Sequence, residues 1–144
     1  MSAKIFSVLI IFSVIYLGCS GNDNKTSSMV QSENYKYSFF DASGNSFMEG
    51  KLILRSGGEK LTGEYTIDTS FVERPSGFSS LPGILSGNIN TKEMTVFLNL
   101  NPKIADNNIF IYADMVPDSL NGYWIQSTMV GIKAKGDFRA VKIK

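Results

Sequence analysis

Histidine is absent from this chain of 144 residues, and cysteine occurs once, as Cys19. The first absence removes the commonest general base and the commonest metal ligand together. The second excludes a disulfide within the chain and any multi-thiolate metal site. Proline is scarce, with 4 residues, and neither sign of charge dominates: 14 Lys and Arg face 13 Asp and Glu, a formal net charge of +1. Without a basic footprint, binding to a nucleic-acid phosphate backbone is not expected. No glycine run leads into a helix as a phosphate loop requires, and no serine sits in a nucleophile elbow. Asp114 with Asp118 and Glu64 with Asp68 could pair. They read more simply as solvated surface charges, since carboxylate hydrolysis needs a cleft and one raised pKa. The expectation is a protein that is not an enzyme, with no catalytic residues, no metal and no cofactor.

What is present begins with an address. Met1–Lys4 carries one positive charge, and Ile5–Leu17 is an apolar run of 13 residues broken only by two serines. In a helix that run would span roughly 20 Å, short of the ~30 Å hydrocarbon core, so it reads as the apolar core of an export signal. Gly18-Cys19 follows at once, and then polar Ser20-Gly21-Asn22-Asp23-Asn24. This arrangement resembles a bacterial lipoprotein signal, with Tyr16 at the position where that pattern prefers Leu. The resemblance implies cleavage after residue 18, acylation of Cys19 (palmitate among the chains) and anchoring to a membrane of the bacterial cell envelope. Ser20 resembles the default sorting signal for the outer membrane. Residues 19–33 are polar and biased to Ser, Asn and Thr, and read as a flexible tether. Residues 34–144 form the single globular domain that a chain of this length supports.

From Tyr35 onward the hydrophobic period is two. Five strands share a phrase of apolar, any residue, Gly, any residue, apolar: Met48–Leu52, Leu61–Tyr65, Leu85–Ile89, Leu120–Trp124 and Ala134–Phe138. In each, the glycine keeps the parity of the apolar residues. A glycine facing the core lets a strand coil tightly, so the repeated phrase predicts a sheet curled into a small barrel. Tyr65, Trp124 and Phe138, two residues further along the same face, are placed to fill the space the glycines leave. The plainer alternative is that these glycines only end turns. Tyr35–Phe40, Glu93–Leu100, Ile109–Met115, Leu120–Val130 and Ile132–Ile143 complete a count of about eight strands, which closes into a barrel just wide enough for side chains or one small ligand. The expected fold is therefore an all-β, antiparallel, up-and-down barrel.

Two segments admit two readings each. Thr69–Gly83 holds two prolines and several serines, yet also Phe71, Val72, Phe78 and Leu81. It is either a binding loop or a cover for one end of the barrel. The last strand carries Lys133, Lys135, Arg139, Lys142 and Lys144 against Asp137. That is either a patch for anionic polymers or the solvated face of a terminal strand, with Lys142 and Lys144 outside and Val141 and Ile143 inside.

The closing stretch from Leu120 to Ala140, with Gly122-Tyr123-Trp124 and Gly136-Asp137-Phe138-Arg139-Ala140, resembles the small lipocalin-like (calycin-like) lipoproteins of bacteria. The Gly-x-Trp of true lipocalins falls late here, at Gly122–Trp124, so no binding residue carries over by motif. Two functions remain open. In one, the barrel holds a small apolar or amphipathic ligand, with Tyr65, Phe71, Phe78, Trp124 and Phe138 as candidate lining. In the other, a solid barrel meets an envelope protein or polymer through its surface, as an interaction or inhibitor module.

Overall fold

The computed structural model describes residues 31–70, 78 and 83–144. The signal segment, Cys19 and Phe71 lie outside the described residues. The alternating pattern becomes eight strands: β1 (Gln31–Phe40), β2 (Ser46–Gly57), β3 (Lys60–Ser70), β4 (Ile84–Asn90), β5 (Thr95–Asn99), β6 (Asn108–Val116), β7 (Ser119–Thr128) and β8 (Gly131–Lys142). Each pairs antiparallel with the next, and β8 pairs back onto β1 through Tyr35↔Lys142 to Phe39↔Phe138. The barrel is closed and up-and-down, as expected from the sequence. β1 starts earlier than its aromatic run. Gln31, Ser32 and Glu33 of the expected tether already pair with Ser56, Arg55 and Leu54.

The five repeated glycines lie inside strands where adjacent backbones draw close. A Cβ built on Gly50, Gly63, Gly87, Gly122 or Gly136 would lie 1.8, 2.2, 2.0, 2.0 or 2.0 Å from a carbonyl oxygen of an adjacent strand. No side chain larger than hydrogen fits there, so these are points of close backbone approach rather than turn ends.

Side chains of the adjacent strands fill the space beside four of them, Leu85 at Gly63, Leu98 at Gly87, and aromatic rings at Gly50 and Gly136. The Tyr37 ring of β1 reaches over Gly50 of β2, its hydroxyl 2.7 Å from the site of the absent Cβ, and donates to the Thr66 carbonyl of β3 at 2.9 Å. Trp124 of β7 reaches over Gly136 of β8, and its indole N–H donates to the Phe40 carbonyl of β1 at 2.8 Å. Tyr65 of β3 stands opposite Gly83, and its hydroxyl donates to the Leu100 carbonyl just after β5 at 3.1 Å. The Tyr37 and Trp124 bonds each join strands that are not neighbours in the sheet, over a glycine in the strand between. The directly opposed cross-strand position is about 5 Å away, whereas the next same-face residue on one strand is nearly 7 Å away, so the ring covers its neighbour's glycine first.

Among the described residues, the left-handed region is taken by Gly44, Gly58, Gly83, Met94, Asn107 and Asp118 in the connections and by Gly131 at the start of β8. Six of them are residue types that tolerate it. Met94, at φ 54°, does not, and its carbonyl accepts the Met115 N–H at 2.7 Å. The sequence places Met94 inside a strand. In the structure it belongs to the turn, and β5 starts at Thr95.

The antiparallel course puts the β1–β2, β3–β4, β5–β6 and β7–β8 connections at one end of the barrel. The start of β1 and the end of β8 lie at the other, where the Ile143 N–H donates to the Asn34 carbonyl at 2.9 Å. On β8 the inward residues are Phe138 and Ala140, while Val141 is 58% exposed. Val141 is therefore outside and Lys142 has the inward parity, the reverse of the alternation read from sequence. The reason is local: past Ala140 the barrel opens, and Lys142 pairs with Glu33 at 2.7 Å across the seam.

Candidate functional site

Three places on the barrel bring side chains together. The first is the interior near the β3–β4 connection. Phe39 of β1, Trp124 of β7 and Phe138 of β8 are each 1% exposed, and Phe47 of β2 is 4% exposed. Phe78, from between β3 and β4, enters this group and is itself 1% exposed. Its ring centroid lies 5.2 Å from Phe39, 5.3 Å from Phe47 and 5.1 Å from Trp124, at edge-on angles near 80°. Phe138 packs on Phe39 at 5.1 Å and on Tyr37 at 6.3 Å. Offset and edge-to-face contacts at these distances are those of a closed aromatic core. Of the candidate lining residues, Phe78, Trp124 and Phe138 thus meet in one cluster in which ring faces ring. Tyr65 stands in the wall, its hydroxyl bonded to Leu100. Burial is the main cause pushing that phenol up to about 12.

The second place is the mouth at the opposite end, where the chain enters β1. Tyr35, Leu54, Leu61, Val96 and Leu120 line a recess of about 200 Å³. Glu33 sits on its rim, hydrogen-bonded by Lys142 and by the Tyr35 hydroxyl. The bond from Lys142, then the one from Tyr35, holds the Glu33 carboxyl below its usual range. Burial first, and Glu33 second, push the Tyr35 phenol well above its ordinary value. Sequence reading did not single out this mouth, because Glu33 looked like tether and Lys142 like surface. The alternation of Glu33 with Tyr35, Tyr37 and Phe39 was the available signal.

The third place lies outside the barrel. Strand register aligns Asn88 of β4, Phe97 of β5, Tyr112 of β6 and Tyr123 of β7 in one row across the outer face. The row beside it runs Asn90, Thr95, Asp114, Asn121. Phe97 and Tyr112 are 5.1 Å apart, and Tyr112 and Tyr123 stack at 5.3 Å with planes 19° apart. Tyr123 is 50% exposed and Tyr112 37%. With Lys92 from the β4–β5 turn and Glu59 from the β2–β3 turn, the two rows border a groove of about 710 Å³. The inward glycines position it. Gly87 lies against the Phe97 carbonyl and Gly122 against the Tyr112 carbonyl, drawing β4 onto β5 and β7 onto β6 where the outward aromatics stand. Tyr112 and Tyr123 escape a sequence reading that treats outward residues as solvated. Three aromatics on the outward parity of β5, β6 and β7 were the signal.

Among the described residues no group of three or more Asp, Glu, Cys or His could hold a metal ion. No protein-family model, no curated protein and no solved structure matches the chain.

Proposed function

We propose that this is a lipid-anchored protein of the bacterial envelope, held to a membrane through an acylated Cys19, whose barrel is a non-enzymatic interaction module working through its outer surface. The observation that supports the surface reading is the Phe78 ring at 5.1–5.3 Å from Phe39, Phe47 and Trp124. It fills the part of the interior where a lipocalin-like ligand would sit. The outer groove, at about 710 Å³, is in the range of ligand sites, ~300–1,000 Å³.

A second reading keeps the small apolar ligand and moves it to the mouth beside Glu33. The recess lined by Tyr35, Leu54, Leu61, Val96 and Leu120 favours it, although at about 200 Å³ it is below that range. Intact and native mass spectrometry of the full chain extracted from membranes separates these readings. The surface module gives an acylated Cys19 and no retained small molecule. A bound lipid or other apolar adduct on the folded chain overturns the surface reading, and an unacylated mass overturns the anchor.

A further inference from the structure

We infer that the outer groove across β4–β7 is a binding site for a neutral oligosaccharide strand; this rests on the reading of the barrel as a surface-acting module. A pyranose ring has two apolar C–H faces and a rim of hydroxyls that both donate and accept hydrogen bonds. A site for a run of such rings needs aromatic faces in a line and a parallel line of amides and carboxylates. The groove has that pairing. Phe97, Tyr112 and Tyr123 form the aromatic row, and Asn90, Thr95, Asp114 and Asn121 form the polar row on the next outward register.

The polar residues of the two rows have capacity to spare. Among the described residues, Asn88 and Asp114 make no side-chain hydrogen bond. Asn121 uses one amide hydrogen on Ser119, at 3.2 Å. Asn90 uses its carbonyl oxygen on the Lys92 and Glu93 N–H groups, leaving its NH₂ free to donate. An amide offers two donors and two lone pairs, which suits a hydroxyl that must do both. Length also fits. Adjacent strands are about 4.8 Å apart, so the row from Asn88 to Tyr123 spans about 14 Å, roughly three pyranose rings.

Charge selects the neutral class. The charged residues bordering the groove are Lys92, Glu59 and Asp114, one positive and two negative, which offers no field for a polyanion. A protein partner is less well matched. A stable protein interface needs ~800 Å² per partner, whereas this trough is one aromatic row wide with hydrogen-bonding groups along its length.

The test uses the full chain in detergent and four soluble probes: hexamers of β1→4 N-acetylglucosamine, β1→4 glucose and α1→4 glucose, with polygalacturonate as the anionic control. Binding is read by saturation-transfer NMR and calorimetry. At least one neutral hexamer binds, the polyanion does not, and Tyr123→Ala weakens binding tenfold or more. Tyr123 is half exposed, so the variant keeps the core, and an unchanged thermal melt checks this. Asn121→Ala is the second variant, leaving the aromatic row intact and weakening binding about fivefold. Failure of all three hexamers to bind overturns the inference, as does binding indifferent to both substitutions. A photo-crosslinker at position 123 that captures an envelope protein while no hexamer binds overturns the glycan and leaves the surface module standing. A retained apolar adduct overturns the module itself, whatever the sugars do.

Discussion

Three buried aromatic donors, Tyr37, Tyr65 and Trp124, each satisfy a backbone carbonyl two strands away. Removing one donor loses a hydrogen bond worth about 0.5–1.5 kcal/mol, and more for the fully buried bond to Leu100. Tyr37→Phe, which keeps the ring, is expected to lower unfolding free energy by that amount in urea denaturation. A change under ~0.5 kcal/mol would mean that the Thr66 carbonyl finds another partner. Gly136→Ala is expected to cost more, about 3 kcal/mol, because its Cβ would meet the Phe40 carbonyl oxygen and the strand itself must shift. Met94 gives the opposite sign. An L-residue at φ 54° carries about 1–2 kcal/mol of strain, so Met94→Gly is expected to stabilise the fold by about 1 kcal/mol after the added chain entropy. A lower melting temperature in that variant would show that the Met94 side chain has a role in the turn. At this scale the glycines were legible in the sequence because parity is a local property. The partners of Tyr37 and Trp124 were not, because register joins residues 29 and 84 positions apart.

Strands and turns carry the next level. The count of eight and their order followed from period-two runs separated by turn residues. Strand bounds moved by one to four residues, among them those where one apolar or polar residue broke the pattern: Met94 in the β4–β5 turn, and Glu33 inside β1. The sequence of the segment between β3 and β4 admits two readings. Phe78 contributes a plug to the interior, and Phe71 lies outside the described residues. Phe78→Ala deletes a buried ring and is expected to cost about 3–5 kcal/mol, with new binding of a small apolar dye at the vacated space. Unchanged stability and no dye binding would remove the plug from the account of the closed interior. The seam between β1 and β8 also sets the acid response. Lys142 and Tyr35 hold the Glu33 carboxyl below its ordinary 4.5. A depressed carboxylate contributes stability that is present above the unfolded-state value and is lost as pH falls through the folded one. Stability is therefore expected to fall as pH drops below about 4.5, and Glu33→Gln to flatten that fall in melts run from pH 6 to pH 3. An unaltered slope would assign acid sensitivity to other carboxylates, Asp41 first among them. Its carboxyl is also lowered, chiefly by the Asn45 backbone N–H.

For the molecule as a whole, closure removes sheet edges without disulfides, which suits a chain whose one cysteine precedes the barrel. The candidate groove was not legible in the sequence because it belongs to no single strand. Asn88, Phe97, Tyr112 and Tyr123 become neighbours only once β4 to β7 are in register. The same closure fixes how the barrel responds to a pull. β1 is the strand nearest the proposed anchor, and it is clamped on both sides, by β2 over Gln31–Phe40 and by β8 over Tyr35–Phe39. Tension applied at Gln31 runs along the strand axis, so it loads both ladders in shear, many hydrogen bonds at once, and does not peel them open singly. The indole–carbonyl bond from Trp124 to Phe40 ties the far end of β1 against that same slide. Forced unfolding is governed by the unfolding barrier rather than by equilibrium stability. Tension from the proposed anchor is thus taken up in shear, and the mechanical strength of the barrel can exceed what its melting temperature alone would imply.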